Sequence, residues 1–203
     1  MSLTTFGRVR LSESFFMRDF LFSEIAAIDG MINVPDDPDL AIAAGTQLCQ
    51  QVLEPLQAQF GRLAIRSSFR SAEVNAFGAA KQREKKEKGY TCASNANNAA
   101  GHIWDMLDDG KMGATACIIV PKVWDRLNHD PLGWQKLAWW VHDHLPYSTM
   151  QFFREYWAFN LGWHDAPERS IFSYVRPANT YLTRPGWDNN SGSHEALWRG
   201  LID

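Results

Sequence analysis

Cysteine is scarce in this chain of 203 residues. Its three thiols (Cys49, Cys92, Cys117) are odd in number, and their spacing suits neither a disulfide framework nor a zinc ribbon. They read as reduced thiols. Long apolar runs are also missing: the stretches 114–120 and 137–141 fall far short of the roughly 20 residues a spanning helix needs. The opening MSLTTFGRVR lacks the apolar centre of a signal peptide. A soluble protein, cytoplasmic or phage-associated and without membrane contact, is expected. Basic charge is not in excess either. Lys and Arg number 20 against 23 Asp and Glu, a net charge of −3, so no global field attracts nucleic acid. The run KQREKKEK at 81–88 has no aromatics interleaved in it and reads as a solvated face.

What the chain does hold is ordinary globular composition, 45% apolar and 21% charged, with nine Trp, most of them between Trp104 and Trp163. Such rings build core and can line a groove. The length fits one domain, taken as 1–183, followed by a Gly/Asn/Ser-rich tail at 184–203.

Along the chain, 11–24 reads as a strand or turn leading to a short helix at 17–24. The acidic turn 33–39 suits the start of a helix. From there Leu40, Ala44, Leu48, Val52, Leu56 and Phe60 form one helical face, stopped by Gly61. Alternation at 63–69 predicts a strand buried on one side. Residues 91–100 read as loop, 103–106 and 115–120 as strands, 131–144 as a helix, and 147–154 and 170–175 as the last strands. The order predicts an α+β fold with helices packed on a mostly antiparallel sheet.

Taken singly, the chemistry-bearing residues say little. His142 and His144 are two apart and diverge on a helix; His129 and His194 fall in loop and tail and read as solvated. If 102–105 is extended, His102 and Asp105 lie on opposite faces and cannot share an ion.

Several blocks together resemble the zinc D-alanyl-D-alanine carboxypeptidase family, whose fold is shared with the Hedgehog signalling domain. Cys49-Gln-Gln-Val-Leu-Glu-Pro-Leu56 with Phe60-Gly61 is similar to its opening helix. Ile65-Arg-Ser-Ser-Phe-Arg-Ser71, with Asn75 and Gly78, looks like its next strand and loop. Asn98-Ala-Ala-Gly-His-Ile-Trp-Asp105 falls on its "HxxGxAxD" metal motif. Leu145-Pro-Tyr147 with Gln151-Phe-Phe-Arg-Glu155, and Ile171-Phe-Ser-Tyr174, resemble its closing blocks. The likeness runs in order over about residues 11–183. It implies a Hedgehog/DD-peptidase-like fold and a site in which two His and one Asp hold zinc. A Glu would serve as general base, and an Arg would grip the substrate's free carboxylate. The chemistry is coherent: three ligands and an open position bring zinc-bound water to a pKa near 7, and a guanidinium fork matches a carboxylate.

The departures fall on the metal. Asp105 keeps the carboxylate ligand position, but Asn98 and Ile171 stand where the two histidines belong. An amide is a poor zinc donor and a hydrocarbon is none. Arg70 matches the carboxylate-gripping Arg, or is a structural Arg paired with Asp105 or a backbone carbonyl. Trp104 joins it as a substrate-binding candidate, and Glu155 matches the general base beside an insertion at 157–169. His164 is the one residue able to replace a missing ligand if the last strand shifts; otherwise it is a loop histidine.

Two readings follow. In the first the chain is a degenerate member of the family with no cofactor, binding a peptidoglycan stem peptide or similar carboxylate-terminated peptide, or serving a structural role. In the second it is an active peptidoglycan metallopeptidase whose zinc is held by Asp105, His164 and one of His102, His142 or His144.

Overall fold

Six apolar residues at strict intervals of four drift by about 40° per step around an ideal α-helix, so a straight helix cannot keep them on one side. The computed structural model, which describes residues 3–85 and 89–202 (backbone alone at 3 and 4), resolves this with a local change of winding. After α1 (Leu3–Gly7), a 3-10 turn at Met17–Phe20 and α2 (Glu24–Asp29), the chain enters α3 (Pro38–Leu48). It then widens into a π-helical turn at Cys49–Leu53 and continues as α4 (Glu54–Phe60). The wider turn takes up part of the drift. Ala44, Leu48, Val52, Leu56 and Phe60 are all buried, and Gly61, at φ 81°, ends the run. Asp37 caps α3 by accepting the Leu40 N–H at 3.0 Å, with Pro38 at the first turn.

Beyond this lie β1 (Ala64–Ser67), α5 (Ala72–Glu84), the single turn α6 (Asn95–Asn98) and β2 (Gly113–Ile119). Next come α7 (Pro121–Leu127), α8 (Gly133–His144), β3 (Thr149–Phe152) and β4 (Phe159–His164). The chain closes with β5 (Ser170–Ser173), β6 (Thr180–Thr183) and α9 (Glu195–Trp198). The fold is mixed α+β. Its six-stranded open sheet has the order β1-β2-β4-β3-β5-β6. β3 pairs antiparallel with β4 and parallel with β5, and β5 pairs antiparallel with β6.

Several expectations need correction. Residues 103–106 are not a strand but part of a turn, with Ala100 at φ 52° and its N–H donated to Met106 O at 2.7 Å. The 157–169 stretch holds β4, whose alternating Phe159, Leu161 and Trp163 are buried. α5 covers 72–84 and absorbs the start of the charge run, with Lys85 as its left-handed cap; residues 86–88 of that run lie outside the described residues. α7 and β6 were not foreseen.

By packing, the chain forms two compact units: Met1–Gln50 with Ser67–Ala116, and Gln51–Arg66 with Cys117–Asp203. In the first, Trp104 is fully buried between Phe20 and Phe69, with centroid distances of 5.3 and 6.1 Å, and lies over Gly45. In the second, Trp134 and Phe159 pack on Phe152 at 5.0 and 4.6 Å, and Phe60 meets Trp140 edge-on at 4.7 Å. The 184–202 segment is not a free tail. Arg126 donates to the carbonyls of Gly200 and Leu201, and Trp198 donates to Asp143.

Candidate functional site

In the first unit, four of the seven expected site residues lie on 70 and the 92–106 segment. Arg70 begins where β1 has ended; its N–H is tied to His102 O at 2.8 Å, so backbone pairing joins it to the segment that bears the metal-like motif. Its side chain is half-buried and Nη1 donates to Cys92 Sγ at 2.8 Å. Burial pushes the Cys92 thiol up, opposed by the Arg70 charge. The guanidinium therefore sits against a neutral sulfur.

Asn98 takes part in a chain of amides. Its Nδ2 donates to Asn75 Oδ1 at 2.8 Å; Asn75 donates to Asn95 Oδ1 at 2.8 Å and to Ala93 O; Asn95 donates to Ala72 O at 2.9 Å. Asn75 is wholly buried, so these bonds carry real weight. They bind the 93–98 turn to the start of α5. His102 donates from Nδ1 to Ser68 O at 2.7 Å, and Trp104 donates from Nε1 to Thr115 O at 3.2 Å. Trp104 is a core residue with no exposed surface, so its expected place as a groove wall is corrected.

Asp105 turns toward the start of α3. Its Oδ2 accepts the N–H of Asp36 at 2.6 Å and of Asp37 at 3.3 Å, which fixes the 33–37 turn ahead of the helix. Oδ1 is buried and has no hydrogen-bond partner among the described residues. Burial raises the Asp105 carboxyl above the usual carboxylate range. The two backbone amides oppose that rise, and the nearby Asp36 charge adds to it.

The other three expected residues belong to the second unit. Glu155 is exposed at the start of a 3-10 turn, Glu155–Trp157. His164 closes β4; its Nδ1 accepts the Ala166 N–H at 3.1 Å, and its Nε2 is buried without a partner among the described residues. Ile171 is fully buried on β5, opposite Met150 of β3.

A zinc centre of the kind the resemblance implies does not fit these residues. Asp105 gives one oxygen to two backbone amides, the Asn98 amide is bonded into the Asn75 chain, and Ile171 has no lone pair to offer. His142 and His144 have partners of their own. His142 uses both ring nitrogens: Nε2 donates to Asn190 O at 3.2 Å, so Nδ1 accepts the Tyr147 hydroxyl at 2.6 Å. His144 donates from Nδ1 to Trp140 O at 2.8 Å. Among the described residues no three His, Cys, Asp or Glu gather to hold a metal.

The strongest polar cluster was not anticipated. Asp143, near the end of α8, accepts His194 N–H at 2.7 Å, His194 Nδ1 at 2.6 Å and Trp198 Nε1 at 2.7 Å. Burial works against the charge on Asp143, yet the donors from Trp198 and His194 hold the carboxyl below its usual range. His194 stacks on Trp139 at 4.1 Å and is buried, which corrects the expectation of a solvated tail histidine. Beside it, burial and the Arg169 charge push His142 down, and Arg169 lies 4.3 Å over the Tyr147 ring. Asp143 and His194 are 51 residues apart, so no local signal could have paired them. The cluster pins the C-terminal segment to α8.

Comparisons with family models, curated proteins and solved structures find no match for this chain. No helix among the described residues is long and apolar enough to cross a membrane.

Proposed function

We propose that the chain is a non-hydrolytic member of the D-alanyl-D-alanine carboxypeptidase-like group, which binds a short cell-wall-type peptide through its free carboxylate. The observation that carries this reading is the use of Asp105. The carboxylate at the resemblance's ligand position closes through Oδ2 on the amides of Asp36 and Asp37, and Asn98 and Ile171 offer no imidazole beside it. Arg70 is the residue for the peptide's carboxylate, because a planar fork binds it bidentately and the backbone bond to His102 O holds its base in place. Cys92 is a neutral neighbour that a stronger acceptor displaces from the guanidinium.

Calorimetric titration with a D-Ala-D-Ala-terminated peptide and with its C-terminal amide tests this. The free acid is expected to bind, the amide at least about tenfold more weakly, and Arg70→Ala to erase the difference. No D-alanine should be released. Equal affinity for acid and amide would sink the carboxylate role. Near-stoichiometric zinc in the purified protein, lost in Asp105→Ala, would establish the metallopeptidase instead.

A further inference from the structure

The two sides of the sheet in the second unit differ in kind. On the inner side Met150, Phe152, Leu161 and Ile171 are buried. On the outer side, strand register sets one row across four strands: Asn160 of β4 opposite Gln151 of β3, Gln151 opposite Phe172 of β5, and Phe172 opposite Tyr181 of β6. The row changes character along its length. At one end Asn160 Nδ2 donates to Gln151 Oε1 at 3.2 Å, an amide pair with further donors and acceptors. At the other end Phe172 meets the rings of Tyr181 and Tyr174 edge-on, each at 5.2 Å, and Tyr174 stacks on Phe153 at 5.8 Å.

Cations border the rings. The Arg184 guanidinium lies 5.2 Å from the centroids of both Tyr181 and Trp187, and Arg154 Nε donates to Tyr174 O at 3.2 Å. Arg176, two residues past Tyr174, is exposed. Glu155 and Asp188 are the acidic residues adjoining these in sequence. Tyr174, Tyr181 and Trp187 are 37%, 36% and 40% exposed.

We propose that this face binds an acidic polysaccharide, with Tyr174, Tyr181 and Trp187 stacking on sugar rings, Asn160 and Gln151 meeting hydroxyls, and Arg184 taking carboxylates. A pyranose presents an apolar C–H face and a polar rim, the combination that exposed aromatic rings beside amides complement. Stacked arginines keep their N–H edges free, and a fork matches a uronate carboxylate. The alternatives fit less well. A nucleic-acid strand offers phosphates and flat bases with few hydroxyls, whereas half of this row is neutral amide that matches a polyhydroxylated ring. A second copy of the chain would bury the Asn160 and Gln151 amides, whose spare donors and acceptors would then need partners.

The test is titration of the full chain with oligogalacturonate, with neutral dextran and oligo(dT) as controls, and with Tyr181→Ala and Arg184→Gln. Oligogalacturonate should bind at least about tenfold more tightly than dextran, and Tyr181→Ala should lose about tenfold. Arg184→Gln should narrow the gap between acidic and neutral glycan. Arg70→Ala should leave all of this unchanged, which separates this face from the peptide site. If Tyr181→Ala melts early, Trp187→Ala supplies the same readout. Absence of saturable oligogalacturonate binding, tighter binding of oligo(dT), or a dimer in sedimentation that Tyr181→Ala dissociates would each overturn the proposal.

Discussion

Asp105, expected as a metal ligand, carries a structural duty in the folded chain. At its position a carboxylate can bind a metal, or it can close a turn by accepting backbone amides, and here it does the second. Its raised pKa has a definite sign. Burial, opposed by the amide bonds and aided by Asp36, makes the folded state hold this proton more tightly than the unfolded chain. Its contribution is therefore favourable below the ordinary carboxylate value, about 3.9, and is lost as pH rises through the folded value. Asp105→Asn keeps an acceptor for Asp36 and Asp37 and removes the buried charge. Thermal melts at neutral pH are expected to show an unchanged or higher Tm, with no change in metal content. A clear loss of stability accompanied by loss of bound zinc would mean that the carboxylate serves an ion.

At the scale of elements, α3 lies against an indole because it carries Gly45. A Cβ built there meets Trp104 ring atoms at 2.5 and 3.0 Å and Leu11 Cδ1 at 3.2 Å. Trp104 is fully buried and rigid, so it cannot yield cheaply. Alanine is the better helix former by roughly 1 kcal/mol, but relieving this overlap costs more. Gly45→Ala should therefore destabilise by about 1–2 kcal/mol in urea unfolding, with the slope unchanged. A gain in stability would show that the helix can move off the ring. The same pairing explains which parts of the element pattern were legible. The helix at 40–60 and α8 announced themselves by periodicity, because one buried face writes itself into local spacing, and β2 by a short continuous apolar run buried on both sides. The 103–106 segment did not. Its apolar Ile103 and Trp104 suit a strand, yet the bonds of Ala100 to Met106 and of Ile103 to Asn98 curl it into a turn. β4 was hidden for a related reason: an alignment gap suggested an insertion, while Phe159, Leu161 and Trp163 alternate as a strand should.

Over the whole molecule, acid should weaken the second unit first. Burial, then Arg169, depresses His142, so the unfolded chain binds that proton more readily than the folded one. Stability from this group is complete above the unfolded value, about 6.5, and falls as pH drops through the folded value. Asp143 adds a second loss lower down. Burial resists its charge, but the donors from Trp198 and His194 keep its folded value below about 3.9, so its contribution fades as pH falls past that point. Urea midpoints measured from about pH 7 to about pH 5 should decline for the wild type and stay level for His142→Gln. Parallel curves would place the titrating group elsewhere. Protonating His142 removes the Nδ1 lone pair that accepts the Tyr147 hydroxyl, and protonating Asp143 weakens its hold on His194 and Trp198 in the 184–202 segment.

By itself, the sequence determined the α+β class, the apolar faces of the main helices, the three cysteines that form no disulfide, and the side chains at the positions where the resemblance expects zinc ligands. These follow from composition and from contacts a few residues apart, which local spacing records. Only tertiary structure decided that Asp105 closes on Asp36, that Trp104 fills a core, that Asp143 holds His194, and that Asn160, Gln151, Phe172 and Tyr181 share one row. Partners in such pairs lie tens of residues apart, and nothing in the spacing of either one specifies the other. The folded backbone brings them within hydrogen-bonding or ring-contact distance, and burial then gives those contacts their strength.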